Sequence, residues 1–257
     1  MNPKVSIIVT TYNRENLLEK TLESILAQSY HDFELIVVDN YSQYDFFSFI
    51  NKFSDKRIKA YRNENGGIIA INRNFGINLA AGEFIAMCDD DDIWEPDKLK
   101  KQVDLFLSKP SIVMCCTNVS IIGVSNRKNI LKRLITYFKN CILSFNIIPA
   151  RYLLVFLPFI TNSSALFKKK ILDKTGILDE SSSLCAYEDF EFWFRMSNFG
   201  DIYFINEKLV QYRVHQQQFS DRLVKENRIK TRQIIFTFWP QLNFLQKGLY
   251  FLTNILF

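Results

Sequence analysis

Four consecutive aspartates, Asp89 to Asp92, end the apolar run "FIAMC" and lead into "IWEP". Adjacent carboxylates repel one another, so a folded protein that concentrates them needs positive charge at the same place. Asp89 and Asp91 stand at alternate positions, which in extended backbone puts their side chains on one side. Such a pair offers hard oxygen ligands of the kind Mg²⁺ and Mn²⁺ take, with phosphate oxygens filling the rest of the shell. A second reading covers the later acids. Asp92, Glu95 and Asp97 fall at the first turn of a helix expected near Pro96, where negative charge suits the macrodipole and proline suits the first position. Asp89 and Asp91 precede that helix and are not explained by it.

Three other positions carry residue types capable of chemistry. In "AYEDFEFWFRM" the carboxylate of Asp189 stands among aromatics, where burial raises its pKa and lets it accept a proton. Capping of the helix that begins there is the competing role. His215, in "QYRVHQQQFS", is one of two histidines in the chain and can ligate a metal or donate to a phosphate, or serve ordinary structure. Arg73, in "NRNFG", can reach an anionic ligand or close a surface ion pair.

The elements that must position these groups follow from periodicity. "VSIIVT" is a short β-branched run, and the segment after it has apolar residues at Leu17, Leu18, Leu22, Ile25 and Leu26, which is helical spacing. The alternation repeats through "FELIVVD", "RIKAYRNE", "EFIAMC" and "SIVMCCTNVS", each of the first three followed by a helical segment. Strands alternating with helices predict an α/β fold with a mostly parallel sheet covered on both faces. Ligands of such sheets bind beyond the carboxyl ends of the strands. There the chain places "TTYNR", "DN", "NENGG" and "DDDD" in succession, four polar strand ends converging on one crevice.

Composition bounds the rest. The 257 residues, 48% hydrophobic and 15% aromatic, hold material for a large core, and a net charge of +5 is too small to suggest a nucleic-acid partner. The five cysteines show no metal-type spacing, which fits a reducing, cytoplasmic location. The chain reaches "KVSIIVTTYN" within four residues, so no export leader is expected. A membrane span needs roughly 20 apolar residues. The two best candidates, 141–160 and 234–257, are interrupted by Pro149, Arg151 and Pro158 and by Pro240 and Lys247.

Taken in order, "VSIIVTTYNRENLLEKTLESILAQSYHDFELIVVDN", "NRNFGINLAAGEFIAMCDDDDIWEPDKLKKQ", "SSALFKKKILDKTGILDES", "YEDFEFWFRM" and "YRVH" resemble the family 2 glycosyltransferases over about residues 3 to 220. The resemblance implies a GT-A, Rossmann-like fold and inverting transfer of a single sugar from a nucleotide-diphosphate sugar, a UDP-sugar first among them, to an acceptor hydroxyl. It places Thr10, Thr11, Tyr12, Arg14, Asp39, Asn40, Arg73, Asp89, Asp90 and Asp91 at the donor. It makes Asp89 and Asp91 the D-x-D motif that holds Mn²⁺ or Mg²⁺, with His215 beside the metal, and Asp189 the general base. Asn40 and Tyr41 depart from the family's usual Asp-Gly-Ser, which bears on the base. The Q-x-x-R-W motif of processive members is absent after "EDFEFW". Non-processive members of this size act in O-antigen, capsule or lipopolysaccharide assembly, on saccharide or lipid-linked saccharide acceptors.

The expected organisation is a nucleotide-sugar half over 1–120, an acceptor-binding and catalytic-base half over 121–220, and an amphipathic helical tail over 221–257. In 130–143, Leu131, Leu134, Ile135, Phe138 and Ile142 share one helical face, as in a core helix or one resting on the cytoplasmic face of the inner membrane. The tail has more apolar residues than a free end needs. It packs on a partner subunit, making a homo-oligomer, or lies at the bilayer interface. Two rival functions share the acidic sheet end: a nucleotidyltransferase, which usually shows a glycine-rich phosphate loop where "TTYNR" has none, and a non-catalytic nucleotide-sugar-binding protein.

Overall fold

The computed structural model describes residues 3–123, 154, 160–184, 186–214 and 227–242, and beyond these 244, 247, 248 and 250. His215, the amphipathic stretch 130–143, Cys141 and Cys185 lie outside the described residues. Strands β1 (Val5–Thr11), β2 (Phe33–Asp39), β3 (Ile58–Arg62) and β4 (Phe84–Asp89) alternate with helices α1 (Glu15–Leu26), α2 (Phe46–Asn51) and α3 (Ile69–Leu79). The short β5 (Ile93–Trp94), α4 (Lys98–Ser108) and the long β6 (Ile112–Gly123) follow. After these come β7 (Leu166–Lys168), α5 (Glu188–Met196), β8 (Asp201–Val214) and α6 (Asn227–Thr237).

All eight strands form one sheet in the order β3-β2-β1-β4-β7-β6-β8-β5. The first four are parallel, as alternation with helices requires, and β6 is parallel to β8. β7 runs antiparallel to both its neighbours and joins the two parallel blocks. β5 pairs with β8 through Trp94 and Val210, which fastens the end of the acidic run to the far half of the sheet.

Side-chain alternation along the central strands explains why the sheet is buried on both faces. Val5, Ile7 and Val9 of β1 join Phe84, Ala86 and Cys88 of β4 in one core, covered by α1, α2 and α4. Ile8 joins Ile85 and Met87 in the other core, where Phe192, Trp193 and Phe194 of α5 lie. Cys88, Cys115 and Cys116 are buried thiols within these cores.

The tail has a destination that the sequence reading left out. Ile234 and Ile235 of α6 are buried in the same core as Phe190, and the rings of Phe194 and Phe238 lie 5.2 Å apart. The chain therefore covers part of its own tail, and Phe236 and Phe244 stay exposed. Among the described residues no helix is long and apolar enough to cross a membrane.

Close backbone approach at the start of β4 depends on Gly82. A Cβ there would stand 2.6 Å from the Ser6 backbone N, and backbone in a central strand cannot yield. Gly82→Ala should destabilise the protein by about 2 kcal/mol through overpacking, measured by urea denaturation.

Candidate active site

The parallel register builds the site by levelling four strand ends. Thr11 stands opposite Asp39, Asp39 opposite Arg62, and Thr10 opposite Asp89, so these residues share one edge of the sheet. Beyond that edge lies a cleft of about 520 Å³. Thr10, Thr11, Tyr12, Arg14, Asn40, Arg73, Asp89, Asp90, Asp91 and Asp189 all line it, which gathers residues from five separate elements and their loops. Asp39 does not line it. Its carboxylate is fully buried behind the rim, accepting from the Ser42 backbone N–H and hydroxyl and from Arg62 Nε at 3.0 Å.

Arginines answer the acidic run. Arg14 Nη1 stands 2.8 Å from Asp90 Oδ1 and 3.1 Å from Asp91 Oδ2, and the Thr11 hydroxyl donates to Asp90 at 2.8 Å. Arg73 is buried between two acids from different parts of the chain: Nη2 is 2.8 Å from Asp89 and Nη1 is 2.6 Å from Glu188. The surface ion pair considered for Arg73 is thus a buried one. Asp89 and Asp91, expected to act as a pair on one side of extended backbone, both face the cleft but are held by different arginines.

The helix-terminus reading fails for Asp92. β4 ends at Asp89 and α4 begins only at Lys98, so Asp92 lies in neither. Fully buried, its Oδ1 accepts the Arg213 N–H from β8 at 3.0 Å. Asp97 flanks α4, yet its carboxylate accepts from the Ser29 hydroxyl instead of capping the helix.

A tight turn over Asn162–Ser164 supports Asp89 from the far side. Asn162 Nδ2 donates to Asp89 Oδ1 at 2.9 Å, and the Ser163 hydroxyl accepts the Asp89 N–H. That turn is itself anchored from below by a fully buried lysine. Lys98 donates to Gln102 Oε1 at 2.8 Å, and Gln102 Nε2 donates to the Ser164 carbonyl at 2.9 Å. Burial pulls the Lys98 ammonium down to about 7, and the Trp94 ring, 3.7 Å from Nζ, offers its π-face in place of a carboxylate.

Asp189 is the second residue of α5. Its Oδ1 accepts the Phe190 N–H at 2.7 Å, satisfying one open donor of the helix start, while the residue lines the cleft. Burial and the neighbouring Glu188 carboxylate push its carboxyl up to about 7 against the pull of Arg73. Ala186, just before the helix, holds φ of +69°, a left-handed conformation that costs a non-glycine residue energy. Asn13 and Tyr41, at φ of 53° and 56°, are strained in the same way on the cleft's other loops.

Sequence reasoning gave no site role to six other lining residues: Asn65, Gly67, Asn72, Asn162, Glu188 and Tyr212. The signal for Asn65 and Gly67 lay in "NENGG", whose Gly66 and Gly67 take φ of +56° and +86°. Glu188 was hidden because its partner is 115 positions away.

Comparison with known proteins decides the family. Residues 6–176 match the protein family Glycosyl transferase family 2. The chain is also 30% identical over 226 residues to the Escherichia coli UDP-Glc:alpha-D-GlcNAc-diphosphoundecaprenol beta-1,3-glucosyltransferase WfgD, covering 86% of this chain and 81% of that one. This chain belongs to glycosyltransferase family 2. The expected GT-A fold is present as well. The glycosyltransferase superposes on the crystal structure of S. aureus TarS 1–349 in complex with UDP-GlcNAc with a TM-score of 0.66 at 19% identity, over 85% of this chain and 60% of that one. With the Pyrobaculum calidifontis mannosyltransferase PcManGT in complex with GDP-Man and Mn²⁺ the TM-score is 0.65 at 20% identity, over 88% and 61%. The glycosyltransferase thus spans about three-fifths of each of these solved chains. Membership sets aside the nucleotidyltransferase.

The crowded carboxyls give this glycosyltransferase an unusual pH response. Burial, with the adjoining negative charges, pushes Asp90 up to about 6 and Asp92 up to about 8, while Arg14 pulls Asp90 the other way. Acids raised in the folded state bind protons that the unfolded chain has already released, so between about pH 4 and pH 8 these groups favour the fold at the acidic end and stability falls as pH rises. In the presence of a chelator the melting temperature should drop from pH 5.5 to pH 8, and Asp92→Asn should narrow that drop, as read by thermal unfolding.

Proposed function

We propose that the enzyme transfers one sugar from a UDP-sugar to an acceptor hydroxyl with inversion, using Asp189 as the base. The observation that carries this reading is the placement of Asp189 on the wall of the cleft that also holds Asp89 and Asp91, with Glu188 and Arg73 bridging the two. The donor enters with its diphosphate toward Arg14, Arg73 and the acidic rim. The acceptor hydroxyl lies against Asp189, which takes its proton. The hydroxyl oxygen forms a bond to the anomeric carbon as the bond from that carbon to the diphosphate oxygen breaks, and the electron pair leaves on the diphosphate. A base held near pH 7 is matched to this work, since a useful fraction is ionised at neutral pH and still basic enough to accept the proton. Holding the reactants in line contributes as much as the proton transfer.

The residues present fit a divalent cation. Five carboxyl side chains line the cleft against two guanidinium groups, more acids than the arginines answer. Asp91 and Asp89 are the hard oxygen ligands that would hold Mn²⁺ or Mg²⁺; among the described residues no cluster of three ligands forms, so the shell needs phosphate oxygens or water. When bound, the metal supplies positive charge for the departing diphosphate. Arg14, now paired with Asp90 and Asp91, is the group that has to yield or turn toward phosphate. His215 remains the third proposed ligand.

The named substrate of WfgD, a GlcNAc carried on diphosphoundecaprenol, supports a lipid-linked saccharide as acceptor. Such an acceptor brings the enzyme to the cytoplasmic face of a membrane. Phe236 and Phe244, 54% and 88% exposed on the tail, are suited to enter its interface, alongside a sequence that is basic overall. The three-part organisation at 1–120, 121–220 and 221–257 is part of this proposal, with the second part holding the acceptor.

Two measurements test the proposal. Asp189→Asn should bind UDP and a UDP-sugar as the wild type does by calorimetry, yet lose at least about 100-fold in transfer; Asp91→Ala should lose the Mn²⁺-dependent part of binding. Undiminished turnover by Asp189→Asn removes that residue from the mechanism. For the membrane contact, the wild type should sediment with anionic liposomes and the pair Phe236→Glu, Phe244→Glu should stay in the supernatant.

A further inference from the structure

We infer that Asn72 reads a carbonyl oxygen of the nucleobase; the inference rests on the donor-site reading above and adds a residue to it. Ile69, Asn72 and Arg73 stand at i, i+3 and i+4 on one face of α3, and all three line the cleft. Arg73 ends this row at the acidic rim. At the other end the lining is Tyr12, Asn40, Asn65 and Gly67, three of which continue into an adjoining cavity of about 430 Å³ whose one charged lining residue is the exposed Glu64. Aromatic, aliphatic and amide surfaces with no cation among them suit a flat, uncharged heterocycle better than a phosphate. The acidic rim with its arginines suits the diphosphate and its cation.

The polar groups at the base end are mostly committed. Asn40 Oδ1 holds the Asn65 N–H and Asn65 Oδ1 holds the Gly67 N–H, both at 2.9 Å, so these two amides shape the loop. Asn72 differs. Its Oδ1 accepts from Asn63 Nδ2 at 2.8 Å, and Asn63 is not a lining residue. Because an amide's oxygen and nitrogen diverge from one carbon, anchoring Oδ1 on Asn63 turns Nδ2 away from Asn63, in a residue that lines the cleft. That Nδ2 is buried in a side chain only 1% exposed and has no hydrogen-bond partner.

A buried donor left unpaired is costly in the ligand-free protein and is the kind of group that a ligand acceptor satisfies. Nδ2 offers only N–H bonds, so it selects an oxo group and rejects an amino group at the same place. Uracil carries two such oxygens.

The test compares wild type, Asn72→Ala and Asn72→Asp by calorimetry with UDP, 2′-deoxy-UDP and pyrophosphate, each with Mn²⁺. Asn72→Asp keeps the volume and the acceptor for Asn63 while removing the donor. Both variants should bind UDP and 2′-deoxy-UDP about 10-fold more weakly than the wild type and pyrophosphate equally well. A variant penalty that vanishes with 2′-deoxy-UDP moves the contact to the ribose and overturns the assignment. An equal penalty on pyrophosphate means damage to the cleft as a whole and overturns it too. Unchanged UDP affinity in both variants overturns it alone, whereas a wild type that binds no nucleoside diphosphate overturns the donor site itself.

Discussion

The guanidinium of Arg73, buried between Asp89 and Glu188, is the interaction on which the rest of the site depends. It joins α3 to the end of β4 and to the start of α5, the two elements that carry Asp89 and the proposed base. Two buried carboxylates brought this close would repel strongly without it, and removing one partner of such a group typically costs about 3–5 kcal/mol because the other charge is left buried and uncompensated. Arg73 therefore sets the spacing between the two working ends of the cleft while balancing their charge.

The same constraint runs through the whole acidic segment. Asp90 and Asp91 take Arg14, Asp89 takes Arg73 and Asn162, and Asp92 takes a backbone N–H from β8. Each partner comes from a different element, so four adjacent residues pin together the first loop, the third helix, the turn before β7 and the last strand. Even so, two of the four carboxyls are held near or above neutral pH values. The fold thus buries more carboxyl groups than its own arginines answer, a condition that suits a site for a cation and works against maximal stability.

Below this layer the support is polar but nearly without charge. Lys98, Gln102 and the Ser164 carbonyl form a buried chain under the Asn162–Ser164 turn, and the lysine is met by an indole face and not by an acid. Its ammonium, drawn down to about 7, is partly neutral at physiological pH, which lowers the cost of burying it. Buried polar networks of this kind fix geometry more than they add stability.

Much of this architecture was legible in the sequence, because hydrophobic period and strand-end polarity are local properties. The alternation of β-branched runs with helical spacing determined the parallel block from β1 to β4, and the polar groups that followed each strand determined where the cleft would open. The ordered motifs determined the family. What only tertiary structure decided is which charges meet. Arg73 and Glu188 are 115 positions apart, Asp92 and Arg213 are 121 apart, and no periodicity links either pair. The helix-terminus role expected for Asp92 gave way for the same reason: acids gathered around a proline signal a helix start, but the short β5 lies between Asp92 and Pro96, and pairing with β8 turns the residue inward. The tail's contact with α5 is likewise a matter of two apolar faces of one chain finding each other. Local sequence can show that such a face exists, but the fold selects its partner.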